Sequence, residues 1–340
     1  MLRIAGGSTL VISLGLIFSF VFAGEPPSTS GKGLLLVANK GDHTLGIVDP
    51  DAGRQIAAIT EPGITGHEVI ASPDGRTAYV PIYGNSGVGK AGTDGQTLAV
   101  FDIASQKLIH TIDFGWPARP HCAHFGPENG MLYISTELND SISVFDPSIQ
   151  KLVGSVPTGQ SESHMFAITR DGKRAYTANV GPGTVSAIDL EAKKVIAIIP
   201  ISKMTQRISL SVDDKYAFTA DQTAPKLAVI DTATNQVKTW VDLPGSAYGT
   251  APTLDGRWLV VAMIGPSKVG VIDLETMKLA RTIDVPKTPQ EVLIRPDNSV
   301  AYVSCDASGK VAVINLKTWK VDKLIDAGHG ADGLAWAVKD

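Results

Sequence analysis

The 340-residue sequence predicts an all-β fold: a seven-bladed β-propeller of four-stranded antiparallel blades. Three features of the chain lead there. The segment SPDGRTAYVPIY (Ser72–Tyr83) returns about every 42 residues as ITRDGKRAYTAN, LSVDDKYAFTAD, TLDGRWLVVAM and RPDNSVAYVSC. A looser copy, GPENGMLYIST, starts at Gly126, and a headless one, GLLLVAN, at Gly33. A second marker, an alternating apolar run closed by Asp or Asn, ends at Asp49, Asp102, Asp146, Asp189, Asp231, Asp273 and Asn315. Its spacings are 53, 44, 43, 42, 42 and 42. The third feature is the pair of chain ends. The first copy opens on a second strand, and Asp332–Ala337 matches an inner strand with no repeat after it. The C-terminal strand is therefore expected to complete the N-terminal blade and close the ring, pairing two otherwise open edges.

Each copy dictates the same local structure. Pro73-Asp74-Gly75 is a turn cluster, since Pro presets φ and Gly takes conformations other residues avoid. Runs rich in β-branched and aromatic residues flank it and read as short strands.

The segments AYVPIY, AYTANV and AYVSCD, each after a PDG-like turn, resemble the YVTN family of β-propeller repeats across about Gly33 to Val338. That resemblance implies the fold and is nearly silent on function. Fold relatives of the family include lactonase-like enzymes, quinoprotein amine dehydrogenase subunits and haem d1 domains, among which fold does not choose.

In chain order, residues 1–23 read as a signal peptide. Arg3 starts it, Leu10–Phe22 is apolar, and Val21-Phe22-Ala23 is a small-residue cleavage site. The apolar run is short of the ~20 residues of a spanning helix, so export to the periplasm or beyond is expected, with no membrane span after cleavage. Residues 24–32 read as a disordered leader and 33–340 as the propeller. Net charge is −4 with no basic run interleaved with aromatics, so nucleic acid is not a suggested partner. Cys122 and Cys305 fall in non-adjacent repeats, which argues against a disulfide. Neither belongs to a C-x-x-C-H motif, so covalent haem is not expected. A monomer is expected.

Blade two carries about ten extra residues in GNSGVGKAGTDGQ (Gly84–Gln96), which read either as a surface insertion or as a lid over the channel mouth. The residue starting each inner strand reads His67, His121, His164, Gln206, Tyr248, Gln290 and Asp332. The next reads Glu68, Cys122, Met165, Arg207, Gly249, Glu291 and Gly333. His43 and His329 lie in loops on the same face, whereas His110 and His124 read as packing residues within strands. Trp116, Arg119 and Tyr248 are candidate stacking groups on the rim, and Trp240, Trp258, Trp319 and Trp336 candidate core.

Three imidazoles from consecutive blades, His67, His121 and His164, can offer three neutral nitrogens to a divalent metal, with Glu68, Gln206, Gln290 or Asp332 nearby. Alternatively His164 serves as a base while Arg207 holds a carboxylate, with Glu291 as third member. That trio faintly resembles the sites of propeller lactonases and muconate-lactonising enzymes. Three readings follow: a channel mouth that binds a small ligand or metal; a lyase, lactonase or isomerase using the same ring; or a scaffold for another exported protein.

Overall fold

The computed structural model describes residues 1–2, 31–85 and 87–339. The signal-peptide reading and the leader lie outside the described residues, apart from Met1, Leu2, Gly31 and Lys32.

Seven four-stranded antiparallel sheets form the ring. Blade 1 contains Gly33–Asn39, Thr44–Asp49 and Arg54–Thr60, with Ala331–Val338 as its innermost strand. The closing register sets Leu34 against Ala337, Leu36 against Ala335 and Val37 against Leu334, as expected for a ring sealed by its C-terminus. Each of the other six blades runs from inner to outer strand in chain order.

The burial of each strand follows from its place in the blade. The two middle strands are packed between neighbouring blades on both faces, so Gly33–Asn39 is buried at nearly every position. Outer strands meet a neighbour on one face and solvent on the other, so Arg54–Thr60 alternates with period two. Two expectations need correcting for this reason. His110 stands exposed on the outer strand Lys107–Asp113 rather than packed, and Trp240, on Gln236–Asp242, is 36% exposed rather than core.

The core lies between blades. One apolar cluster unites Leu35, Val37 and Leu334 of blade 1 with Tyr302, Val311 and Ile325 of blade 7. The recurring Asp or Asn at the end of each third strand caps the next turn. Asp49 Oδ1, for example, accepts the Asp51 and Ala52 N–H groups, and Asn315 Oδ1 those of Lys317 and Thr318. Gly75 turns the chain at φ 67°, and a Cβ there would meet the Val338 carbonyl oxygen at 2.0 Å, so this turn is tied to the closing strand.

Candidate functional site

The backbone sets the ring residues apart from regular pairing. In blades 3, 4, 6 and 7 the inner strand is out of register where they occur: between Pro120 and Ala123, Ser163 and Met165, Ala247 and Thr250, and Pro289 and Val292. In blades 2 and 5 the paired strand begins only at Ile70 and Ile208, after His67-Glu68 and Gln206-Arg207. Bulges re-aim side chains, and four of the seven strand starts are displaced in this way. Residues two positions earlier, Arg119, Glu162, Thr288 and Gly330, share a left-handed conformation with φ of 45–67°. Hydroxyls satisfy the displaced backbone: Ser135 Oγ accepts the Cys122 N–H and donates to the His164 carbonyl, and Ser304 Oγ accepts the Glu291 N–H.

On one side of the channel the ring is ionic. Arg207, buried, crosses from blade 5 to the carboxylates of Glu68 and Asp332, each 2.9 Å from Nη2, and to Glu291 through Nη1. The Tyr248 ring lies 4.7 Å from its Cζ. Lys40 extends the network to Asp332 at 3.0 Å and Asp306 at 2.7 Å. Burial pushes the Glu68 and Glu291 carboxyls up despite Arg207. Burial acts the same way on Asp332, but Lys40 and Arg207 outweigh it and hold that carboxyl below its usual range.

The opposite side is aromatic. The His121 and His164 rings lie 3.7 Å apart by centroid, and His67 meets His121 edge-on at 5.4 Å. Tyr83 packs against all three. Glu137 Oε2 accepts the Tyr83 hydroxyl at 2.7 Å and faces His164 Nδ1 at 3.1 Å, while Oε1 pairs with Arg119 at 3.2 Å. Glu137 thereby holds the His164 proton on Nδ1 and leaves Nε2 as acceptor toward Gln206 Nε2, 3.4 Å away. Burial works against the Glu137 charge, but hydrogen bonds from His164, Tyr83 and Arg119 keep its pKa low. Burial first, and then the neighbouring cations, lower His67 to about 4; His121 is also lowered well below the ordinary imidazole value, so both rings are neutral near pH 7.

The structure thus brings His67, His121 and His164 together on consecutive blades, with Arg207 and Glu291 across from them. The three rings pack on one another's faces and edges rather than converging by nitrogen. Among the described residues no three His, Cys, Asp or Glu side chains form a group able to hold a metal ion. His43 and His329 are exposed neighbours on the same face, outside this cluster. The expected rim platform does not form. Arg119 is buried against Asp94, Glu137 and the Lys90 carbonyl, and Tyr248 lies against Arg207, whereas Trp116 is exposed and donates to Asn139. The Arg119–Lys90 bond also anchors the blade-two loop on the ring's face.

Sequence reasoning missed Lys40, Tyr83, Glu137 and Asp306. All four occupy one repeat position, the residue after the last regular second-strand pair with the third strand. Aligning the copies on the second strand instead of the turn exposes that second ring.

Glu61 supports the entry to His67. Its Oε2 accepts the Gly66 N–H at 2.8 Å and the Thr65 hydroxyl at 3.2 Å, while Oε1 is buried without a partner among the described residues. Burial raises its pKa from an ordinary 4.5 to about 7. The fold holds this proton when the unfolded chain has released it, so stability falls as pH rises from 4.5 to about 7, by about 3 kcal/mol. Glu61→Gln should therefore gain about 3 kcal/mol relative to wild type between about pH 4.5 and pH 8 in urea unfolding. A gap that stays flat across that range would refute the assignment.

Below the ring the channel widens into a cavity of about 890 Å³ lined by all seven inner strands and opening toward the Pro-Asp-Gly turns. His124 lines it half-buried, edge-on to Phe166.

Two solved structures share this architecture. One is Kuenenia stuttgartiensis hydrazine synthase, 19% identical, covering 88% of this chain and 99% of that one at a TM-score of 0.71. The likeness is one of fold. The other is dihydro-haem d1 dehydrogenase NirN in complex with DHE, 16% identical, covering 92% of this chain and 77% of that one at a TM-score of 0.64. No protein-family model and no curated protein matches the sequence.

Proposed function

We propose that the protein is an exported, YVTN-type propeller that binds a small hydrogen-bonding molecule at the ring of His67, His121, His164, Gln206, Tyr248 and Gln290. The observation that carries this reading is a pair of buried polar atoms in one ring, His121 Nδ1 and Gln290 Oε1, that have no partner among the described residues. Folding alone leaves such atoms paired, because each orphan costs about 1–3 kcal/mol. A ligand offering a hydroxyl, carbonyl or ring nitrogen would satisfy them. With His67 and His121 neutral, the ring presents dipoles rather than cations on that side.

A tetrapyrrole such as the haem d1 of one structural neighbour does not fit these residues. Arg207 crosses the channel, and His121, Asp332 and Arg207 are each under 6% exposed. A divalent metal on His67, His121 and His164 would require the stacked rings to turn, so metal analysis of the purified protein separates that reading from the one preferred here. The contact between Glu137 and His164 favours a second reading, in which His164 Nε2 takes a proton from the bound molecule.

Crystals soaked with small hydroxy, carbonyl and imidazole fragments should show one bound between His121 and Gln290. Gln290→Leu removes an unpartnered oxygen, so the melting temperature should hold or rise while fragment affinity falls at least about tenfold. Undiminished affinity in that variant would place the ligand elsewhere.

A further inference from the structure

We propose that the 890 Å³ cavity on the turn face is a second binding site, separate from the ring, and that it takes an amphipathic organic ammonium ion. Its walls are mainly apolar, built from residues such as Ile70, Phe125, Phe166, Leu210, Leu293 and Leu334. Its inner end is acidic, because Glu68 and Glu291 line the cavity as well as touching Arg207 from below the ring. A long body with one charged end matches that division.

The charges specify the sign of the head group. The charged side chains lining the cavity are Glu68 and Glu291 at the inner end, with Arg207 behind them, and Arg170 and Asp214 toward the turns, three acids against two cations. His124 adds no positive charge, since burial lowers its pKa, and the Cys122 thiol is held protonated by burial. Two details show an acceptor left for a visitor. Glu68 is 7% exposed, and its Oε1 is paired with Arg207 Nη2 at 2.9 Å in a contact too bent for a full hydrogen bond, which leaves it acceptor capacity. The Glu291 side chain keeps 20% of its surface accessible.

An ammonium group entering here gains charge-assisted hydrogen bonds to Glu68 and Glu291 in a desolvated setting. A metal ion is disfavoured because, among the described residues, no three His, Cys, Asp or Glu side chains form a group able to hold one. An anion meets the acid excess directly. Since burial raises both carboxyls, an arriving cation also displaces a proton from the pair.

Calorimetry on the full chain with phenylbutylamine, phenylbutanol and phenylbutyrate tests this. The amine should bind at least about tenfold tighter than the alcohol, and the acid not at all. Repeating the amine titration in buffers of different ionisation enthalpy should reveal proton release. Glu291→Gln should cut amine affinity about tenfold and leave the alcohol unchanged. Ala251→Phe, which fills the cavity without altering charge, should weaken both and serves if Glu291→Gln does not fold. An alcohol that matches the amine, an amine indifferent to both substitutions, or no binding by any probe overturns the proposal.

Discussion

Removal of Asp332–Asp340 should leave a chain with no cooperative unfolding transition at 25 °C. The segment supplies nearly all of the innermost strand of blade 1, so its loss strips the ladder from Leu34 to Val37 and reopens the edge at Gly33–Asn39. It also takes Leu334 out of the cluster that joins blade 1 to Tyr302 and Val311 of blade 7, and Asp332 from Lys40 and Arg207. One buried Leu truncated to Ala costs about 2–5 kcal/mol, and a whole domain is stable by about 5–15 kcal/mol. Losing a Leu, two buried Ala residues, a strand and two ion pairs together exceeds that reserve. A synthetic peptide spanning 331–339 should restore the far-ultraviolet signal of folded protein when added in excess, because the vacant edge is its binding site. The milder Leu334→Ala should cost about 2–4 kcal/mol by urea unfolding. A truncated chain that melts like wild type would mean that the ring is held by inter-blade packing alone.

Blade number, blade closure and the first ring were legible because repeats repeat their errors openly. A propeller repeat constrains turn and core positions, so a departure such as His67, His121 and His164 at one register position is visible without any structure. The second ring was not legible from the turn-anchored alignment. Lys40, Tyr83, Glu137 and Asp306 share a position but no chemistry, and Val180, Gln222 and Ile264 hold it in the other blades. Only proximity to the first ring gives them meaning. His110 and Trp240 failed for another reason. An outer strand alternates between neighbour and solvent, so strand membership says nothing of burial until the face is known. Arg119 is the reverse case. It looked like a rim group by position, but Asp94, Glu137 and the Lys90 carbonyl converge on it from loops whose path no local pattern encodes.

Arg207→Met should destabilise the protein by about 3–5 kcal/mol at neutral pH, and most of that loss should vanish in acid. Met keeps much of the apolar stem and deletes the charge, leaving Glu68, Glu291 and Asp332 buried beside one another with only Lys40 near Asp332. The wild-type carboxyls of Glu68 and Glu291 are already raised by burial, and Arg207 is what opposes that rise. Without the guanidinium their folded pKa values climb further. A group whose folded pKa is raised contributes its stability below the unfolded value, near 4.5, and loses it as pH climbs through the folded value. The gap between variant and wild type should therefore be wide at about pH 8 and narrow toward about pH 4.5. His67, lowered to about 4 by burial and then by cations that include Arg207, removes stability as pH falls from 6.5; without the guanidinium that loss is smaller, which also narrows the gap toward acid. Adding Glu68→Gln and Glu291→Gln to the Arg207→Met background should recover stability at neutral pH, since amides in those places need no cation. Equal losses at both pH values would make Arg207 a packing residue. Full recovery in the triple variant would show that the centre of this channel is held by charge balance, with the acids placed for something other than folding.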